Sequence, residues 1–273
     1  MGSWQRSRRL PSVRNSAPLT ITTSVLVFVA LWEIATRVGL VDSIIVSTPH
    51  QVVSAIPDIL SSDAGRQALR TTGYEILVAF CLAVVTGSFV GTLLGISRGL
   101  RKAYLPLVTF VLGTPKVIFL PIFMTFLGIS ERLAIAFGAF EAFFYIVVNV
   151  EGGVEAIDRR HLKAAHAFQA PRYATLVHVI WPSAAPSIFT GLWFGLKHSF
   201  LGVLVAELFA SRTGVGTLVK TYSEALDTAK VMGIVLVVAS AAIMVGSVWS
   251  WLERRLGRWR YSARGTITSM SSI

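Results

Sequence analysis

Ionisable side chains inside long apolar stretches are the residues of this sequence whose types and positions could do chemistry. They are Lys116, Lys197, Glu75, Glu141 and Glu207. A lone cation in a lipid-embedded helix costs at least about 2.5–3.5 kcal/mol on insertion scales, so it is seldom kept without a use. Either lysine could pair with Glu75 or Glu141, which neutralises a buried charge, or could attract an anion. Both uses require the lysines to face the interior.

Patterns that bind metals or catalyse reactions are absent from the sequence. The five histidines have no ligand spacing such as His-Glu-x-x-His. Cys81 is the only cysteine, so one chain cannot form a disulfide. No Gly-x-x-x-x-Gly-Lys-Ser/Thr sequence that could cradle ATP phosphates occurs. We therefore predict no metal, no cofactor and no catalytic residue, and hence no enzyme.

The composition indicates that lipid surrounds much of the chain. Hydrophobic residues make up 53% of the sequence and charged residues 14%, whereas soluble domains contain about 25% charged residues. The formal charge of +11 could suggest nucleic-acid binding. However, the basic residues lie at the ends of apolar blocks rather than on one aromatic-rich basic surface, so we expect no nucleic-acid partner.

Six apolar blocks have the length needed to cross a membrane. Each must be helical, because a strand alone in lipid would leave its backbone polar groups unpaired. We predict an all-α integral membrane protein in which Pro115 and Pro121 kink the third helix. No small-residue cleavage site follows the first block, so we interpret it as an uncleaved helix. The blocks are residues 19–41, 74–96, 103–127, 133–150, 188–210 and 231–252.

The distribution of Lys and Arg predicts the orientation. These residues accumulate before the first block, in the second and fourth connections and after the last block, and cytoplasmic segments hold such an excess. Both termini are therefore predicted to be cytoplasmic. We divide the chain into a basic amino-terminal segment (1–18), a transmembrane domain (19–252) with a cytoplasmic loop (151–187), and a basic tail (253–273).

The cytoplasmic loop contains a spaced pattern. Lys163-Ala164-Ala165 is followed after three residues by Gln169 and after nine more by Val179-Ile180-Trp181-Pro182. This resembles the EAA loop of binding-protein-dependent ABC importer permeases, which reads Glu-Ala-Ala, three residues, Gly, nine residues, Ile-x-Leu-Pro. Every spacing is met, although Lys163 replaces Glu, Gln169 replaces Gly and Trp181 replaces Leu. Thr114-Pro115-Lys116, Leu120-Pro121, and Glu207 before Gly214-Val215-Gly216 are further similar pieces.

The resemblance is greatest to the permeases of sulfonate, nitrate, taurine and bicarbonate importers, and it implies a type I permease fold in the bacterial inner membrane. It also implies a homodimer that works with separate ATPase subunits and an extracytoplasmic binding protein, with the solute passing between the two copies. The expected solute is a small organic or inorganic anion, either sulfonate-like, nitrate-like or an aromatic carboxylate. The implied coupling residues are Lys163, Ala164, Ala165, Gln169 and Pro182, and those of the path or gate are Pro115, Lys116, Pro121, Lys197 and Glu207.

The loop pattern also has a physical interpretation. A short helix beginning near Arg159 would present the small residues Ala164 and Ala165 for close docking in a groove of another protein. Lys163 reverses a charge, which an acidic patch on the ATPase would match. Gln169 stands where Gly could have supplied a turn that only Gly tolerates. The alternative is an ordinary amphipathic connecting helix.

For the glycine stripe of the second predicted helix, for Glu207 and for the class of transporter, the sequence leaves more than one interpretation open. Gly87, Gly91 and Gly95 lie on one helix face and could serve packing within the chain or a seam between subunits. Glu207 could bond to residues 214–216, interpreted as a flexible extracellular connection, or to Arg212, or could be a solvated helix end. A secondary transporter is the alternative class, but we find no internal repeat of the kind such transporters show.

Overall fold

The computed structural model describes residues 17–256 apart from 41, 43 and 44, without the side chains of 17–19, 159 and 256. The predicted cytoplasmic segments before residue 17 and after residue 256 lie outside the described residues. Within the described part, every regular element is a helix. The helices are α1 (Ala17–Arg37), α2 (Pro49–Ser61), α3 (Asp63–Ile96), α4 (Arg98–Gly113), a 3-10 turn (Lys116–Phe119), α5 (Leu120–Leu127), α6 (Glu131–Glu155), α7 (Arg159–Ala167), α8 (Arg172–Thr175), a π turn (Leu176–Ile180), α9 (Trp181–Ala210), α10 (Val215–Glu224) and α11 (Thr228–Leu256).

The predicted all-α membrane architecture of about six spans is confirmed. Among the described residues, 5 helices are long and apolar enough to cross a membrane, and a bent pair brings the number to 6. Large apolar side chains cover the outer surfaces of α1 and α11, as expected for contact with lipid. Glycine and alanine residues instead concentrate where the central helices meet.

The third span differs from the single kinked helix that was predicted. Helix α4 and the segment Lys116–Leu127 meet at an angle of 98°. Pro115 has no N–H to continue the helix, and Thr114 before it is extended, with φ −90° and ψ 141°. Pro121 does not kink a helix, because it lies in the first turn of α5, where a missing N–H costs nothing.

The centre of the fold is α6, which packs between α3 and α9. The stripe of Gly87, Gly91 and Gly95 on α3 faces α6, so the packing interpretation is confirmed. A Cβ at Gly91 would lie 2.8 Å from the Val147 carbonyl oxygen and 2.8 Å from Val150 Cβ. The two helix backbones therefore approach more closely than an alanine would allow.

Substituting two glycines of α3 tests this packing. We expect Gly91→Ala to lower the thermal stability of the detergent-solubilised protein by about 1–3 kcal/mol, because overpacking forces the helices apart. Gly73→Ala in the same helix is the matched control, since nothing lies within 4 Å of the added Cβ. It should leave stability unchanged or raise it by up to about 1 kcal/mol through helix propensity. Equal effects of the two substitutions would contradict the close contact.

Candidate functional site

The predicted loop 151–187 holds the end of α6, the short helices α7 and α8, the π turn and the first turns of α9. The helix expected near Arg159 does begin there, and the side chain of Asp158 caps it by accepting from the Arg160 N–H at 2.8 Å. Pro182 lies in the first turn of α9. Pro182 has no N–H to donate to the carbonyl one turn before it. We attribute the wider π turn before α9 to this missing hydrogen bond.

The two alanines of the loop differ in their surroundings. Ala164 is exposed beside the exposed Lys163, as expected for docking. Ala165 is only 9% exposed, so the expectation that both alanines are open is wrong for Ala165. The chain folds back after α7, with the Ala170 N–H donating to the Ala165 carbonyl at 3.0 Å, and α7 packs on the π turn.

Gln169 adopts the left-handed conformation that the missing glycine predicts, with φ 54°. Its N–H donates to the His166 carbonyl at 3.0 Å, which ends α7 in a tight turn. A residue other than glycine in this conformation costs about 1–2 kcal/mol. The turn is therefore kept in this chain although its glycine is not.

The base of the loop is fixed by charge. Arg101 on α4 forms ion pairs with Glu151 at 3.5 Å and with Glu155 at 2.5 Å, both near the end of α6. The carboxylate of Glu151 is 5% exposed, and a partly buried pair is screened less by solvent than a surface pair. This link joins the end of the central helix to α4 directly before α7 begins.

A second cluster surrounds Lys116 in the transmembrane domain. Lys116 is buried, and its ammonium lies 3.2 Å from Glu141 Oε2. The predicted pairing of Lys116 with Glu141 is therefore confirmed. The break at Pro115 makes this possible, because it places Lys116 at the start of the 3-10 turn, beside α6.

His198 and Tyr145 complete this cluster, and sequence reasoning missed both. His198 Nδ1 lies 3.6 Å from Glu141 Oε2, too far for a hydrogen bond. The imidazole stacks on Tyr145 with ring centroids 3.5 Å apart, and the Lys116 ammonium lies 5.0 Å from the Tyr145 ring. The four-residue spacing of Glu141 and Tyr145 on α6 is the signal that could have placed them on one helix face.

The surroundings of Lys197 differ from the prediction. Lys197 is exposed on the surface of the single chain, and no ion pair of the described residues includes it. Its ammonium lies 4.9 Å from the Trp193 ring and 5.3 Å from the Phe194 ring, distances typical of cation–π contacts. Lys197 was expected to pair with Glu75 or Glu141. It instead contacts the aromatic rings of Trp193 and Phe194, which can stabilise a cation without a carboxylate.

Glu207 lies in a buried hydrogen-bond network at the end of α9. It is 1% exposed, which excludes the solvated helix end. Its Oε1 accepts from the Thr72 hydroxyl at 2.6 Å and its Oε2 accepts from the Gly216 N–H at 2.8 Å. The Val215 N–H donates to Thr72 Oγ1 at 2.9 Å. The expected bond from residues 214–216 to Glu207 is confirmed.

The interpretation of residues 214–216 as a flexible connection is wrong. Val215 and Gly216 are buried and form the first turn of α10; the Gly216 N–H donates to the Glu207 carboxylate, and the start of a helix is a favourable position for negative charge. Gly214 has φ 100°, and a side chain there would overlap the Glu207 carboxyl group. The glycines therefore allow α10 to lie directly against Glu207.

The clusters around Lys116 and Glu207 place buried charges beside groups that pair with them or donate hydrogen bonds to them. In the part of the chain that the structure describes, no three His, Cys, Asp or Glu side chains form a group that could hold a metal ion. The described polar groups instead form the exposed side of the short helix α7, an ion pair with an aromatic neighbour, and a Glu207 carboxylate that accepts hydrogen bonds from α3 and α10.

Comparison with known proteins gives consistent matches. Residues 83–260, more than half of the chain, match the family model described as "Binding-protein-dependent transport system inner membrane component". The aliphatic sulfonates transport permease protein SsuC of Bacillus subtilis (strain 168) is 27% identical over 88% of this chain and 87% of its own length. The taurine transport system permease protein TauC of Escherichia coli (strain K12) is 28% identical over 93% of this chain and 94% of its own.

The fold also matches a solved structure. A chain from an inward-facing structure of the MetNI methionine ABC transporter superposes with a TM-score of 0.60 at 19% identity, covering 71% of this chain and 94% of the MetNI chain. At this level of identity the likeness concerns the fold, which is that of type I importer permeases.

Proposed function

This chain belongs to the family of binding-protein-dependent transport system inner membrane components, and from this premise we propose that it forms the translocation path for a small sulfonate-like anion. It is a multi-pass protein of the bacterial inner membrane and the permease component of an ABC importer of the sulfonate, nitrate and taurine group. The family match over both the loop and the transmembrane clusters is the observation that carries the proposal.

A separate ATPase supplies the energy by docking on α7. The exposed Lys163 and Ala164 support this step, because a small side chain permits close approach and a cation beside it selects an acidic groove. Gln169 shapes the end of α7, and Pro182 begins the span that follows. Ala165 supports the helix from within the chain. An acidic patch on the ATPase therefore replaces the contact that the usual glutamate would make.

An extracytoplasmic binding protein delivers the solute, which passes between two copies of this chain. The exposure of Lys197 supports a path of this kind, since a cation at the outer surface of one chain is available to a space shared by two. Lys116 is neutralised by Glu141 and instead fixes the break in the third span. Glu207 holds α10 at one end of the bundle and acts as the gate.

The relatives indicate the class of solute. The names of SsuC and TauC specify aliphatic sulfonates and taurine, and these compounds carry a sulfonate. The Lys197 ammonium contacts aromatic rings rather than a carboxylate, so its positive charge is not neutralised by an acid and can attract the sulfonate group.

Removing the charge of Lys197 tests its part in the path. We expect Lys197→Met to slow sulfonate uptake several-fold in proteoliposomes, whereas Lys197→Arg keeps most of the rate, because a guanidinium retains the positive charge and can also contact aromatic faces. ATPase co-purification should be the same for both variants. Equal uptake by the Met and Arg variants would remove Lys197 from the path.

Reconstitution tests the function as a whole. The permease is placed in liposomes with the ATPase and the binding protein of its importer, and uptake of a radiolabelled sulfonate is followed with and without ATP. We expect uptake only with all three components and ATP. Uptake driven by a proton or sodium gradient without the ATPase would instead establish a secondary transporter. Retention of a neutral or cationic compound by the binding protein would overturn the proposed solute.

A further inference from the structure

Glu75 is a buried carboxyl group that the transport proposal leaves without a role. It lies on α3, one turn after Thr72, and is 0% exposed. No N–H or O–H group of the described residues donates to either of its oxygens. It also pairs with neither lysine that the sequence offered as a partner. A buried charge in this position would cost several kcal/mol.

The carboxyl group of Glu207 approaches the same face of α3, because Thr72, one turn before Glu75, donates its hydroxyl to Glu207 Oε1 at 2.6 Å. Two carboxylates cannot bond to each other, because ionised carboxylates only accept hydrogen bonds. If one of them is protonated, its O–H becomes a donor and a single negative charge remains. The proton then gives Glu75 a hydrogen bond to Glu207 and also removes the repulsion between two negative carboxylates.

The environment of the pair contains no compensating cation among the described residues. None of the ion pairs of the structure includes Glu75 or Glu207. The charged group that α6 brings close is another acid, Glu131. Helix α3 contributes the neutral Thr72, and α10 contributes the N–H groups of Val215 and Gly216. These donors suit one negative charge on Glu207 and not two.

From this geometry we propose that Glu75 and Glu207 form a binding site for one proton, held on Glu75 and donated to the Glu207 carboxylate. The site joins α3 to α9 and, through Gly216, to α10. The Glu207 oxygens already accept from Thr72 and Gly216, and no third His, Cys, Asp or Glu of the described residues completes a metal-binding group with the pair, so the pair suits a proton better than a metal ion. The proposed proton site does not depend on which solute the protein transports.

Infrared spectroscopy tests the site directly. A protonated glutamic acid gives a C=O stretching band separate from the carboxylate bands, and ¹³C-glutamate labelling identifies it. The purified permease is measured at pH 7 in a detergent without ester groups. We expect a label-sensitive carboxylic-acid band in the unsubstituted protein, which needs no variant to be informative. Its absence would overturn the proposal.

Two substitutions assign the band. Glu75→Gln should remove it, because the amide N–H replaces the O–H as donor and leaves Glu207 ionised. Glu224→Gln is the control, since Glu224 is an exposed carboxylate beside Lys220. The carboxylic-acid band of this variant should be the same as in the unsubstituted protein. A band that persists in Glu75→Gln would show that the proton lies elsewhere. Loss of the band from unsubstituted protein on adding sodium or calcium would show a cation site instead.

Discussion

Replacing Ala164 with Arg is expected to abolish ATP-dependent uptake while leaving the permease folded and inserted in the membrane. Ala164 is exposed on α7, so an arginine there can extend away from its own chain and would fill the groove of a docked ATPase. Changes at the few central hot-spot positions of an interface cost about 2 kcal/mol or more, and a cost of about 3 kcal/mol lowers affinity about 100-fold. Co-purification of the ATPase and uptake in proteoliposomes measure the two effects.

Ala225→Arg is the matched control for this substitution. Ala225 is an exposed alanine at the end of α10, in a different part of the chain, so ATPase binding should be kept. Ala165→Arg is less informative, because burial of Ala165 means that a large side chain would also disturb the turn after α7. Normal ATPase binding by Ala164→Arg would eliminate α7 as the docking element.

The largest loss of stability is expected from Glu141→Gln. This change leaves the Lys116 ammonium buried without its carboxylate, and breaking a buried pair in this way costs about 3–5 kcal/mol. We expect less folded protein after detergent extraction and a lower unfolding temperature by fluorescence-detected size-exclusion chromatography.

The double variant Lys116→Met, Glu141→Gln separates loss of the pair from a change of shape. Removing both charges leaves no unpaired group, so the double variant should recover most of the stability that Glu141→Gln loses. With Lys116→Met measured as well, a double variant that loses the sum of the two single losses would show that the two residues act independently.

The sequence predicts the membrane architecture well because its physical cause is local. Lipid requires every backbone group to be paired within the chain, so an apolar block of spanning length is sufficient to predict a helix. The break of the third span is less predictable. Pro115 and Pro121 look alike in sequence, but only Pro115 interrupts a helix, because Pro121 occupies the first turn of a new one.

Some of the site residues could likewise be predicted from the sequence, whereas others depend on how the helices pack. Lys116 with Glu141 follows from the cost of a buried charge, which restricts the partner to a few acids. His198 and Tyr145 could not be assigned because their positions depend on how α9 is rotated against α6. Ala165 is buried by the fold-back after α7. Glu75 was considered as a partner for a lysine, yet the packing of α3 on α9 places it against another acid.

The helical segment from Arg172 to Ala210 has a mechanical consequence. It is 39 residues long, or about 58 Å at 1.5 Å per residue, whereas the hydrocarbon core of a bilayer is about 30 Å thick. One end follows α7, for which we propose ATPase docking, and the other carries Glu207. If this segment, including its π turn, tilts as one body, its length makes it a lever arm, and a tilt of about 5° at one end displaces the other by about 5 Å. A small rocking movement imposed from the cytoplasm would thus be enough to pull a hydrogen-bonded carboxylate away from α10 on the far side.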